Sequence, residues 1–113
     1  IARGWMGIAG ILGSHSLACR MIAMHGTEEQ KQAYLPELAT GVRRTGIGLT
    51  EPDAGTDLQG IRTTARLEGD HYVVNGHKWW TTGAMNPDCA IFIVMGKTDP
   101  DASRHRQQSM ILV

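Results

Sequence analysis

Apolar positions crowd the first 24 residues and then give way to an alternating pattern. Residues 2–24 are rich in Ile, Leu, Met and Ala, which predicts one long helix. Gly4, Gly7, Gly10 and Gly13 recur along it at every third position. Glycine weakens a helix, so the repeat implies close approach of another helix or of a ligand. Gly26 ends this element. Thr27, with Gln30 three residues on, is a capping-box pattern that starts a second helix. Glu28 and Glu29 in its first turn suit the helix dipole. Pro36 is expected to limit or kink that helix, and Thr40-Gly41 closes the helical part. From Thr45 the pattern turns to strands. They are expected over 46–50, 61–67, 72–74, 78–82, 90–96 and 109–113. Glu68-Gly69-Asp70 reads as a turn and Asn75-Gly76 as a hairpin turn. Residues 98–108 read as a polar loop. Helices first and strands afterwards predict an α+β arrangement, with a helical part at 1–44 and a β-rich part at 45–113.

Composition narrows the classes. Eleven basic and eleven acidic side chains cancel, so no basic field exists to attract nucleic acid. Cys19 and Cys89 fit no metal spacing and read as reduced thiols of an intracellular protein. The five histidines form no metal-ligating pattern, and no metal site is expected. No nucleophile motif stands out. The first helix is apolar but is interrupted by Arg3, His15 and Arg20, which favours a core helix over a membrane span. The 113 residues begin at Ile1 and stop inside the run Met110-Ile111-Leu112-Val113. That reads as a piece of a longer protein with little stability of its own.

The candidate chemistry lies in two stretches, residues 49–57 and 75–83. If 78–82 is a strand, Lys78, Trp80 and Thr82 share one face, and His77, Trp79 and Thr81 the other. Trp79 then packs, and Lys78 solvates the sheet edge or reaches a phosphate. An indole with a hydroxyl two residues on suits a planar heteroaromatic ring, which needs a stacking wall and edge contacts. The plain alternatives are a core Trp with an ordinary strand Thr, and a capped turn in which Asp53 and Thr56 bond local backbone. Glu51, Asp53 and Asp57 would repel a phosphate unless they bond amides or point away. Arg104, His105 and Arg106 form a small basic cluster that either solvates its loop or attracts phosphate.

These stretches resemble the acyl-CoA dehydrogenase family. The family pattern T-E-P-x-A-G-S-D meets Thr50-Glu51-Pro52-Asp53-Ala54-Gly55-Thr56-Asp57, and N-G-x-K-x-W-I-T-N meets Asn75-Gly76-His77-Lys78-Trp79-Trp80-Thr81-Thr82-Gly83. The run His25-Gly26-Thr27-Glu28-Glu29-Gln30 through Tyr34-Leu35-Pro36 resembles the family's G-T-E-E-Q-K-x-x-Y-L-P. The likeness covers about residues 15–98. The chain departs from the family at Thr56, usually Ser, at Thr81, usually Ile, and at Gly83, usually Asn. Residues 79–87 with Ser103-Arg104-His105 look closest to family members ten and eleven, which favour longer acyl chains.

The resemblance implies an all-helical N-terminal domain followed by a β-barrel-like middle domain that binds FAD. It implies cofactor contacts from Ile47, Leu49, Thr50, Gly55, Thr56, Trp80, Thr81 and Thr82. Leu49 and Thr50 would lie at the pyrimidine edge, Thr56 at the diphosphate or the substrate thioester, the Trp80 indole on the ring and the Thr82 hydroxyl near N5. The implied reaction is α,β-dehydrogenation of an acyl-CoA, in which a carboxylate takes the α-proton and the β-hydrogen leaves as hydride to N5. The base would be a glutamate in a C-terminal helical domain beyond this chain. Residues 1–113 are therefore expected to be inactive alone, and Glu51 to be structural. An electron-transfer flavoprotein as acceptor, a homodimer or homotetramer, and a cytoplasmic, mitochondrial or peroxisomal location are implied likewise. A flavin oxidase of the acyl-CoA or nitroalkane type and a non-catalytic acyl-CoA-binding protein share the fold and stay open.

Overall fold

The computed structural model describes residues 3–113. Two helices precede five strands, which is an α+β arrangement with a mixed sheet. The chain divides into two compact units. One holds Ile1–Ile47 with Thr82–Phe92, and the other holds Gly48–Thr81 with Ile93–Val113.

In the first unit α1 spans Met6–His25, and Gly26 follows as its C-cap. The predicted start is too early by several residues: Arg3 and Gly4 form a turn, Trp5 is the N-cap, and residue 2 lies outside the described residues. By length and composition α1 could cross a membrane, with a mean hydropathy of 1.2. Ala18 and Ile22 are its buried positions, while Met6, Ile8, Ile11, Leu12, Leu17 and Met24 are exposed. The helix α2 spans Glu28–Thr40. Its capping box is formed, with Thr27 Oγ1 accepting from the Gln30 amide at 3.2 Å and Gln30 Oε1 accepting from the Thr27 amide at 2.9 Å. Pro36 does not end α2, which runs on to Thr40. Gly41 ends it, in the left-handed conformation (φ 74°) that glycine adopts without steric cost.

His15 ties α1 to both following elements. The Thr45 amide can only donate, so Nδ1 accepts from it at 3.3 Å, and Nε2 carries the proton toward Leu38 O at 3.0 Å. The strand β1, Arg44–Gly48, lies two residues earlier than predicted and pairs with β4, Cys89–Lys97. Gly46 is required there by close approach, because a Cβ would lie 2.7 Å from the Phe92 ring.

In the second unit a short 3-10 turn, Leu58–Gly60, leads into β2, Thr64–Glu68. The strand β3, His71–Asn75, returns antiparallel to β2 with Ala65 opposite Val74 and Leu67 opposite Tyr72. The turn between them carries Gly69 at φ 65°. Thr64 meets Lys97 of β4 in a parallel pairing, and β5, Gln108–Leu112, pairs antiparallel with β4. The predicted loop at 98–108 contains a second 3-10 turn, Arg104–Arg106. Ala54, Ile61, Ala65 and Ile93 are the buried apolar residues of this unit.

Two expectations fail. Asn75-Gly76 makes no hairpin, since β3 ends at Asn75 and Gly76 has no positive φ. Gly76 is there for space, because a Cβ would collide with the Thr63 side chain and come within 2.7 Å of its Cα. Residues 78–82 are not a strand. Trp80 sits at φ 58°, a left-handed conformation that breaks any extended run.

Candidate functional site

The two sequence motifs meet in the second unit, and a buried ion pair joins them. Glu51 is 6% exposed. Its Oε2 accepts from the Arg62 amide at 2.6 Å and its Oε1 from the Thr63 amide at 3.0 Å. Lys78 Nζ donates to Oε1 at 2.8 Å and to Leu49 O at 2.9 Å. The adjacent Trp79 amide donates to Thr50 O at 2.7 Å. Lys78 therefore turns inward, contrary to the expectation of a solvated sheet-edge lysine. The false strand assignment produced that error, because a period-two argument fixes a side chain's face only in extended backbone. Gly48 makes room for the lysine stem: a Cβ there would lie 3.2 Å from Lys78 Cγ.

Burial alone would push the Glu51 carboxyl up. Lys78 and the two amides more than offset that, and hold it down to about 2. A folded-state value below the ordinary 4.5 stabilises the fold above pH 4.5, and that contribution drains away as the pH falls toward 2. Glu51→Gln is expected to flatten the stability profile in this window. Denaturant midpoints measured from pH 5 to pH 2 check it, and an unchanged slope refutes it.

The other two acids of the motif are also engaged. Asp57 Oδ1 accepts from the Gln59 amide at 3.2 Å and caps the 3-10 turn, while its Oδ2 lies 3.7 Å from Arg104. Asp53 lies 3.5 Å from Arg62. The basic cluster at 104–106 thus contributes one partner to the motif's own acid. Of the two readings of the loop, the capped turn is present at Asp57 rather than at Asp53 and Thr56.

Beside the ion pair stand two indoles. Trp79 and Trp80 do not point apart, as an extended strand would require. Their ring centroids are 4.6 Å apart at an interplanar angle of 31°. Trp80 is 74% exposed, backed by Trp79, on a backbone that costs about 1–2 kcal/mol for a non-glycine residue. An exposed, strained indole is an arrangement that folding alone does not favour. Thr50 Oγ1 and the exposed Thr56 Oγ1 make no hydrogen bond among the described residues, and Gly55 is exposed with open space at its missing Cβ. Thr81 Oγ1 lies 3.6 Å from where a Gly48 Cβ would be. Leu49, Thr50, Gly55, Thr56, Trp80 and Thr81 thus share one unit, with Leu49, Thr50 and the 78–81 segment brought together.

Ile47 and Thr82 belong to the other unit. There Thr82 lines an open hollow of about 190 Å³ with Ile11, Leu12, His15, Thr45 and Cys89. The walls are mostly apolar, and Thr45 Oγ1 is buried without a partner. Burial raises the Cys89 and Cys19 thiols, with hydrogen bonding opposing it, which keeps both protonated.

Within the second unit a flat heteroaromatic cofactor fits Trp80 and Thr50: Trp80 offers an exposed face, and Thr50 a hydroxyl without a hydrogen bond among the described residues. Lys78 was the residue that sequence reasoning misplaced. The available signal was charge: a lysine stands in one motif and a glutamate in the other, and each is a possible partner for the other.

Comparison with known proteins bears on the same stretches. The sequence model described as "Acyl-CoA dehydrogenase, middle domain" matches residues 46–113, and that described as "Acyl-CoA dehydrogenase, N-terminal domain" matches residues 1–42. Among curated proteins, "Probable acyl-CoA dehydrogenase FadE2" of Mycobacterium tuberculosis is 49% identical over 82% of this chain and 23% of its own length. "Acyl-CoA dehydrogenase family member 10" of Mus musculus is 47% identical over 82% of this chain and 9% of its own. The likeness to member ten is therefore matched by that of a bacterial relative. Among solved structures, a glutaryl-coenzyme A dehydrogenase in complex with glutaryl-CoA superposes with a TM-score of 0.90 at 33% identity, over 100% of this chain and 28% of that one. The chain spans about a quarter or less of these relatives.

Proposed function

The chain belongs to the acyl-CoA dehydrogenase family, and on that premise we propose that its full-length protein carries out FAD-dependent α,β-dehydrogenation of acyl-CoA thioesters. The observation that carries this reading is the exposed Trp80 indole, tilted against Trp79, whose amide bonds Thr50 O beside the Lys78–Glu51 pair. FAD, when bound, supplies the two-electron acceptor. The chain's own residues hold and orient it. Trp80 would cover one ring face and keep water from it. The hydroxyl and amide of Thr50 would donate to a polar edge, and the Thr82 hydroxyl would be a further donor to the ring. Ile47, Leu49 and Thr81 would add contacts to the ring, and Gly55 with Thr56 would take the diphosphate or the thioester. A donor such as Thr82 stabilises negative charge that develops on a ring edge during reduction.

None of these residues is suited to remove the α-proton. Glu51 is held near 2 by its donors and is too weak a base. The base falls to a carboxylate outside residues 1–113, and an electron-transfer flavoprotein is the proposed acceptor. The apolar exposed side of α1 is proposed to pack within the whole protein rather than in a membrane.

The test is a visible absorption spectrum of the full-length protein, followed by anaerobic addition of acyl-CoAs of graded chain length. Bound flavin that bleaches with acyl-CoA is expected, whereas a colourless protein that cannot be reconstituted contradicts the reading. Rapid reoxidation by oxygen would move the assignment to an acyl-CoA oxidase. Thr82→Val removes one hydrogen bond to a charged group, a loss of roughly 1.5–3 kcal/mol. It should slow flavin reduction about 10- to 150-fold. Stopped-flow reduction at the wild-type rate would remove Thr82 from this role.

A further inference from the structure

The exposed indole and the hydroxyls account for a stacking face and for edge contacts, but not for the inward turn of Lys78. Its ammonium takes the Leu49 carbonyl at 2.9 Å. The described peptides are trans. In a trans peptide the N–H points opposite to the C=O, so fixing Leu49 O fixes the direction of the Thr50 N–H, away from the lysine. The next peptide is fixed as well, since Thr50 O accepts from the Trp79 amide and the Glu51 amide donates to Ala54 O. The Thr50 N–H donates no backbone hydrogen bond among the described residues. A cation on the carbonyl end also polarises the peptide and strengthens the donor at its other end. Glu51 holds the ammonium in place and is itself anchored to the amides of Arg62 and Thr63.

We propose that Lys78 is a positioning residue for electron transfer: acting through the Leu49 carbonyl, it aims and polarises the Thr50 N–H as a hydrogen-bond donor to an electron-rich edge of the bound ring. The inference rests on the flavin reading above. Lys78 does not touch the ring. It raises the ring's electron demand at a distance, because a stronger donor favours the form that carries more negative charge.

The test uses the full-length protein and two variants. Lys78→Met combined with Glu51→Gln removes both charges and strands neither. Lys78→Gln keeps a donor for Leu49 O but removes the cation. In wild type, FAD binding should protect the Thr50 amide from hydrogen exchange. In the double variant that protection should be lost, FAD affinity should fall about tenfold for one hydrogen bond, and the flavin midpoint potential should become more negative. Lys78→Gln should retain most of the affinity and still lower the potential. This variant keeps the proposal falsifiable if the double variant does not fold. A fall in affinity with an unchanged potential in both variants reduces Lys78 to scaffolding and overturns the proposal. Wild-type affinity, potential and Thr50 protection in the double variant overturn it too. Failure of the flavin reading looks different, since the wild-type protein would then bind no FAD.

Discussion

Replacing Lys78 with alanine should destabilise the fold by about 3–5 kcal/mol, the usual loss when one partner of a buried pair is removed. The Lys78 side chain is 12% exposed and that of Glu51 is 6% exposed, so the carboxylate left behind has little access to water. It keeps two amide donors but loses its counter-charge. The Leu49 carbonyl loses its partner as well. Changing Lys78 to Met together with Glu51 to Gln should recover much of the loss, because no ion is then buried alone. The surface pairs offer the contrast. Lys31 with Glu28 and Arg43 with Glu37 are closely spaced but open to solvent on at least one partner, and breaking either should cost about 0–1 kcal/mol. A double-mutant cycle on the full-length protein, read by denaturant unfolding, checks the comparison. A Lys78→Ala loss no larger than that of the surface pairs would mean that the buried pair does not hold the two motifs together.

Trp80 should affect binding more than stability. Its indole is largely exposed, so trimming it removes little from the protein interior. Stacking of a flat ring on an aromatic side chain contributes roughly 1–3 kcal/mol by alanine substitution. Trp80→Ala should therefore weaken FAD binding about 5- to 150-fold. Alanine keeps the penalty of the φ 58° backbone, whereas glycine relieves it. Trp80→Gly should then unfold about 1 kcal/mol later than Trp80→Ala while binding FAD no better. This separation of stability from affinity is the signature of a conformation kept for a ligand. Thermal unfolding of the two apoproteins, compared with their FAD affinities, reads both quantities.

Much of this chain was legible because local chemistry decided it. The Thr27–Gln30 box and the left-handed Gly41 place α2 without help from the rest of the fold. Gly69 does the same for the β2–β3 turn. The run 90–96 is legible as a strand because its β-branched and aromatic residues suit a pleated surface, with Ile91 and Ile93 buried on one face of β4. Where tertiary contacts decided, the sequence misled. Asn-Gly carries the same local signal whether glycine is needed for a turn or for space beside Thr63. The Trp-Trp-Thr-Thr run has high strand propensity, yet no strand pairs with it, and propensity without a partner does not make a sheet. The inward Lys78 follows from a glutamate 27 positions away, beyond any local pattern. The two motifs were legible as motifs, but neither the ion pair that joins them nor the left-handed backbone at Trp80 could be read from them.

The most direct test of the central claim, that Trp80 is the stacking face for the cofactor, is an equilibrium titration of FAD into the full-length apoproteins of wild type and Trp80→Gly. The account predicts saturable binding to wild type and an affinity loss of at least about fivefold in the variant, with the variant as stable as wild type or more so. Equal affinities in the two proteins would contradict it.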